Sequence, residues 1–106
     1  MPYTSGFANT SRLADHFTRH APLLGVSTIS VYEQEADNFM GNPNPPPEVV
    51  ECIRPREGDK IRYNPHTDEW GVLSAANVLR TYYILTDAII IHGNGMNYFL
   101  SECAKI

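Results

Sequence analysis

The sequence predicts an α+β domain in which two N-terminal helices pack on a four- to five-stranded antiparallel sheet, with a short C-terminal helix closing the chain. Three observations predict it. Up to Gly41, apolar residues recur at spacings of three and four. The run Asn42-Pro43-Asn44-Pro45-Pro46-Pro47 then rules out both helix and central strand. Beyond it, short runs alternate apolar and polar side chains between turn residues, the period of two that marks strands. A chain of 106 residues, 42% of them apolar, suffices for a single core.

Residues 1–10 are polar and aperiodic, and read as an N-terminal arm ahead of one domain over 11–106. Leu13, Phe17, His20, Ala21 and Leu24 form the stripe of a first amphipathic helix, with Asn9, Thr10 or Ser11 as N-cap and Gly25 as its stop. Pro22 is costly inside a helix, so the regular turns are expected to end near Ala21, with residues 22–25 packing as a turn. A second helix carries Tyr32, Ala36, Phe39 and Met40 on one face; Ser27 and Thr28 offer caps, Ser30 with Glu33 fits a capping box, and Gly41 ends it. After the proline-rich seam, strands are predicted over 49–54, 60–63, 69–73 and 78–85. Their short connections favour an antiparallel meander. Ile89-Ile90-Ile91 is a candidate fifth strand, and 96–104 a closing helix. The predicted core comprises Phe17, Leu24, Phe39, Ile61, Val72, Leu79 and Phe99.

Composition excludes several classes. No apolar run approaches a membrane span, and Met1 to Gly6 has neither basic flank nor apolar stretch of a secretion signal, so the expectation is a soluble, unprocessed monomer that does not bind membranes. Cys52 and Cys103, without CxxC or Cys/His clustering, read as buried thiols rather than a zinc site. The net charge of −4 opposes a nucleic-acid partner on average. The average hides a gradient: Glu33, Glu35, Asp37, Glu48 and Glu51 fall in a stretch lacking Lys and Arg, whereas Arg54, Arg56, Lys60, Arg62 and Arg80 follow it and leave room for a basic surface.

His16 and His20, four apart on the first helix, point the same way. They are candidates for proton transfer; a metal pair is the weaker reading, because no further ligand set accompanies them, and a half-buried structural imidazole is the plainer one. In Arg80-Thr81-Tyr82-Tyr83, alternation sends Thr81 and Tyr83 to one face and Arg80 and Tyr82 to the other. Thr hydroxyls and Arg guanidinium groups suit a scissile phosphate, although Thr and Tyr are also simply good strand formers. Arg54, Lys60 and Arg62 are candidates for tracking an RNA backbone, with Tyr63, Trp70 and Tyr82 for base stacking. A solvated sheet face would show the same pattern.

In order, these features resemble a known family. Arg19-His20-Ala21 followed by Leu24-Gly25, then the helix from Tyr32 to Met40, is similar to the opening of colicin D-like toxin domains. Gly58-Asp59-Lys60-Ile61-Arg62-Tyr63-Asn64-Pro65, the run on to Val72, Arg80-Thr81-Tyr82-Tyr83 and Asn97-Tyr98-Phe99 resemble the sheet and closing helix of bacterial polymorphic-toxin domains, so the resemblance spans about residues 12–104. It differs in having Arg19 for the family's Lys, and Ile84-Leu85-Thr86-Asp87 for a basic, proline-bearing segment.

The resemblance implies a barnase-like nuclease fold and a metal-independent endoribonuclease that needs no cofactor. Its substrate would be tRNA or other RNA, cut in the cytoplasm of a competing bacterial cell, and a cognate immunity protein would block it. It assigns proton transfer to His20, with His16 second, the phosphate to Thr81 and its neutralisation to Arg62 and Arg80; beside it, Arg62, Lys60, Tyr83 and Arg54 are the candidate RNA contacts. The alternative is a non-catalytic module of the same fold that binds a protein through its acidic second helix, with His20 packed away from any pocket.

Overall fold

The computed structural model describes residues 3–86 and 94–105. Helix α1 runs over Thr10–Leu24. It starts at Asn9, whose side-chain oxygen accepts a hydrogen bond from the Arg12 amide at 2.9 Å. It ends at Gly25, which takes up the left-handed φ of 71° and donates its amide to the Ala21 carbonyl. The expected break at Ala21 does not occur, because Pro22 lies in the last turn on the exposed side. There the missing N–H leaves one carbonyl, that of Thr18, within reach of water.

Helix α2 covers Ile29–Gly41 and is capped by Thr28, whose hydroxyl accepts from the Val31 amide at 3.3 Å. Tyr32, Ala36 and Met40 of its apolar face are fully buried. The Ser30–Glu33 capping box gives way to another use of Glu33: its carboxylate accepts from the Phe7 amide at 3.3 Å. Asp37 likewise accepts from the Tyr3 amide at 2.8 Å, the Thr4 amide at 2.7 Å and the Thr4 hydroxyl at 2.5 Å. The stretch read as an arm is thereby tied to the domain from Tyr3 onward, and Phe7 enters the core.

Strands β1 (Val50–Ile53), β2 (Lys60–Asn64), β3 (Glu69–Leu73) and β4 (Leu79–Ile84) form the predicted antiparallel meander in the order β1-β2-β3-β4. Asp68 and Asn77 supply the positive φ values, 62° and 68°, that the two later turns require. Register places Val50, Cys52, Ile61, Tyr63, Trp70, Val72, Thr81 and Tyr83 on one face, and Glu51, Arg62, Gly71 and Tyr82 on the other.

Both faces are covered, which a single helical layer does not provide. α2 packs over Gly71, where an added Cβ would lie 2.5 Å from the Met40 sulfur. Phe7, Tyr32, Ala36, Met40, Leu73, Leu79 and Tyr82 form the core on that side. The closing helix α3 (Gly95–Cys103) covers the opposite face and completes a second cluster of Ile61, Tyr63, Trp70, Val72, Leu85 and Phe99. Cys52 and Cys103 correct the expectation of free thiols. Cys52 faces the side that α3 covers, the last turn of α3 returns over it, and the two sulfurs form a disulfide with Cα atoms 6.1 Å apart. The candidate fifth strand, 89–91, lies outside the described residues. No helix among the described residues is long and apolar enough to cross a membrane.

Candidate functional site

α1 packs along β4, and a column of rings joins them. Phe7 lies 5.3 Å from His16 between ring centroids, His16 lies 5.6 Å from His20, and His20 stacks on Tyr83 at 5.0 Å and 25°. The i,i+4 spacing of the two histidines produces the middle of this column. Its end on Tyr83 follows from the β4 register, which turns Tyr83 to the face opposite α2.

The column sets the charge state of the histidines. Burial, reinforced by the nearby His16 and Arg19, pushes His20 down to about 4, against a partial opposing effect of Asp15. His16 is lowered as well, first by burial and then by Arg19. Its Nδ1 is buried without a hydrogen-bond partner among the described residues. At neutral pH His20 is the free base, the form that accepts a proton. An anionic phosphate beside it would raise its affinity for that proton.

Thr81 precedes Tyr83 by two residues on the same face of β4, about 7 Å away along the strand, and is half-buried. Arg80 departs from simple alternation. Register slips between Val72 and Leu73, so that Thr81 pairs with Val72 but Leu79 with Leu73, leaving Arg80 as the extra residue of a bulge. The re-aimed Arg80 donates from Nε to Asp59 at 3.1 Å. Asp59, almost wholly buried, also faces Arg54 at 3.9 Å, and Arg54 pairs with Glu102 of α3 at 2.7 Å. His16 thus contacts His20 and His20 contacts Tyr83 of β4, Thr81 lies two residues before Tyr83 on the same face of the strand, and Arg80 and Arg54 are joined through Asp59 at its beginning.

Arg62 and Lys60 are not part of this group. Arg62 is 4% exposed; its Nε donates to Glu51 at 2.8 Å and its Nη1 to the carbonyls of Phe39 and Asn42 at 3.1 and 2.8 Å. That engagement ties the end of α2 and the start of the seam to the sheet. Lys60 shares the Arg62 face and is held below its usual range by burial and by Arg62. Among the stacking candidates, Tyr63 and Trp70 are core residues under α3, and Tyr82 is a core residue under α2, its hydroxyl donating to Glu69 at 2.5 Å.

A groove of about 540 Å³ lies between the N-terminal segment and α2, lined in part by Thr4, Glu33, Asp37 and Asn38, away from the histidines. A second, of about 200 Å³, is lined by Arg54, Arg56, Glu57 and Lys105. Two carboxylates of the acidic helix, Glu33 and Asp37, are occupied by backbone amides of residues 3–7. Among the described residues no three His, Cys, Asp or Glu side chains group as a metal site.

The sequence reading missed Asp59, Glu102 and Tyr98. Tyr98 of α3 packs on Trp70 at 4.8 Å between centroids and shares a hydrogen bond with the Tyr83 hydroxyl. No local pattern signals such a contact, because it joins a helix to a strand through a fold not yet formed.

No protein-family description and no curated protein matches the chain. Its structure is similar to a solved structure described as a ribonuclease from Escherichia coli complexed with its inhibitor protein, with a TM-score of 0.54 and 15% sequence identity over 77% of this chain and 98% of that one. The chain thus shares its α+β fold with a bacterial ribonuclease.

Proposed function

We propose that the domain is a metal-independent endoribonuclease that cleaves tRNA or other RNA through attack of a 2′-hydroxyl on the adjacent phosphate. The observation that carries this reading is the seating of a neutral His20 on Tyr83 with Thr81 on the same face of β4. His20 takes the 2′-hydroxyl proton as the 2′-oxygen bonds to phosphorus. The bond from phosphorus to the 5′-oxygen breaks, that oxygen takes a proton from water as it leaves, and the imidazolium of His20 returns its own proton to the solvent. Thr81 donates to the phosphate oxygens, and Arg80 neutralises their charge by exchanging its exposed pairing with Asp59 for the substrate. Arg54, Tyr83 and His16 support the same edge.

On this reading the chain is a toxin domain acting in a bacterial cytoplasm and held in check by a cognate immunity protein. The ribonuclease with a similar fold is itself in complex with an inhibitor protein, which supports such a partner. The test is incubation of the wild type, His20→Ala and Thr81→Val with total bacterial RNA in EDTA. Discrete fragments from the wild type, and a loss of at least about 100-fold in His20→Ala, are expected. Intact RNA with folded wild type would turn the reading to the protein-binding module.

A further inference from the structure

Among the described residues no carboxylate hydrogen-bonds His20, the arrangement that usually orients a catalytic imidazole. Among the described contacts its ring lies between His16 at 5.6 Å, its neighbour on the same helix, and the Tyr83 ring, stacked at 5.0 Å, which ties it to the sheet. Tyr83 is a half-buried residue on an edge strand, and a phenol ring there needs an anchor of its own. The anchor comes from the other side of the sheet edge. Tyr98 of α3 shares a hydrogen bond with the Tyr83 hydroxyl, and its own ring is fixed 4.8 Å from that of Trp70, which is 2% exposed.

α3 is fastened at its far end twice over, by the Cys52–Cys103 disulfide and by Glu102, which meets Arg54 at 2.7 Å. Phe99 fastens it in the middle by packing under the sheet against Tyr63 and Trp70. A rigid helix thus presents one hydroxyl to the ring that carries His20. We propose that Tyr98 is a positioning residue for His20, acting through Tyr83, so that α3 sets the geometry of the proton-transfer group from the opposite side of β4. The inference rests on the ribonuclease reading for its catalytic consequence, and on the ring contacts and the Tyr98–Tyr83 hydrogen bond for its structural one.

Among the described residues the groups that face His20 are Asp15, His16 and Arg19 from α1 and Tyr83 from β4, with Tyr98 one contact further away. Tyr98→Phe removes only the hydroxyl and keeps the ring on Trp70. In the full chain with the disulfide intact, two readings are taken: steady-state cleavage of an RNA oligonucleotide in EDTA, and the titration midpoint of His20 from the NMR shift of its ring carbon. The expected result is a fall in kcat of roughly 3- to 10-fold at unchanged KM, the size of one neutral hydrogen bond. With it the His20 midpoint moves up from about 4 toward 6.5, as its ring gains water. Tyr83→Phe, which removes the other half of the same bond, should do the same.

Wild-type kcat together with a wild-type midpoint in either folded variant overturns the proposal. A merely structural role for Tyr98 would lower the unfolding temperature while leaving both readings unchanged in the folded protein. If no form of the chain cuts RNA, the ribonuclease reading falls and the midpoint alone decides the positioning role.

Discussion

His20 is held as a free base by its surroundings, and this fixes the sign of two pH effects. Its folded value, about 4, lies below the ordinary 6.5, so as pH falls the unfolded chain takes up the proton first. Stability from the neutral ring is fully present above pH 6.5 and is lost between 6.5 and about 4. His16 acts in the same direction. Urea unfolding should accordingly show a lower midpoint at pH 5 than at pH 7, with the difference reduced in His20→Ala. For cleavage, kcat/KM reports the free protein, so its acid limb should fall nearer pH 4 than pH 6.5. Arg62 makes the opposite case, a basic residue of the sheet consumed by the fold. Arg62→Ala strips the Phe39 and Asn42 carbonyls of their donor and should cost about 2–3 kcal/mol in denaturant unfolding, while its effect on cleavage follows stability alone. Spacing along α1 pairs His16 with His20, and alternation along β4 puts Thr81 and Tyr83 on one face, but nothing local in the sequence shows that His20 stacks on Tyr83. Alternation equally leaves Arg62 looking solvent-facing, because nothing local shows that the seam after α2 folds back over it.

Elements were legible wherever local chemistry decides them. Asn9, Gly25 and Thr28 act as the sequence suggests, and the period of two beyond the seam locates all four described strands. The misreadings arise where tertiary contact overrides a local rule. Pro22 stays in α1 because its lost hydrogen bond is at the wet end of the helix, and Glu33 leaves its capping box for the Phe7 amide. The bulge at Arg80 is invisible to alternation, and the guanidinium it carries pairs with Asp59. Gly71 reads as an ordinary strand residue although α2 sits directly over it. Gly71→Ala places a methyl 2.5 Å from the Met40 sulfur and 3.3 Å from the Phe39 ring, and overpacking there should cost about 1–3 kcal/mol in urea unfolding. A neutral result would mean that α2 is free to shift on the sheet.

At the scale of the molecule, the second core under α3 was the least legible feature, since it depends on residues at opposite ends of the domain finding each other. The cysteines show why: sequence separation says nothing of register, and only the face assigned to Cys52 and the return of α3 bring their sulfurs together. Closing 51 residues of chain into a loop should contribute about 2–4 kcal/mol through the unfolded state. Phe99, Tyr98 and the Arg54–Glu102 pair hold α3 independently of that bond. The reduced domain should therefore remain folded with a lower melting temperature, measured by circular dichroism with and without a dithiol; loss of all secondary structure on reduction would contradict the second set of anchors. That tolerance suits a chain proposed to work in a reducing cytoplasm.

The central claim is attack by a 2′-hydroxyl with His20 as the base, and the most direct measurement uses one RNA oligonucleotide in EDTA, mapped for its cleavage sites and their end groups. A second oligonucleotide then carries a 2′-deoxy sugar at each mapped position. The account predicts upstream fragments ending in a 2′,3′-cyclic phosphate, and no cut at a deoxy position. Cleavage that persists at the deoxy sites, or a dependence on added divalent metal, would contradict it.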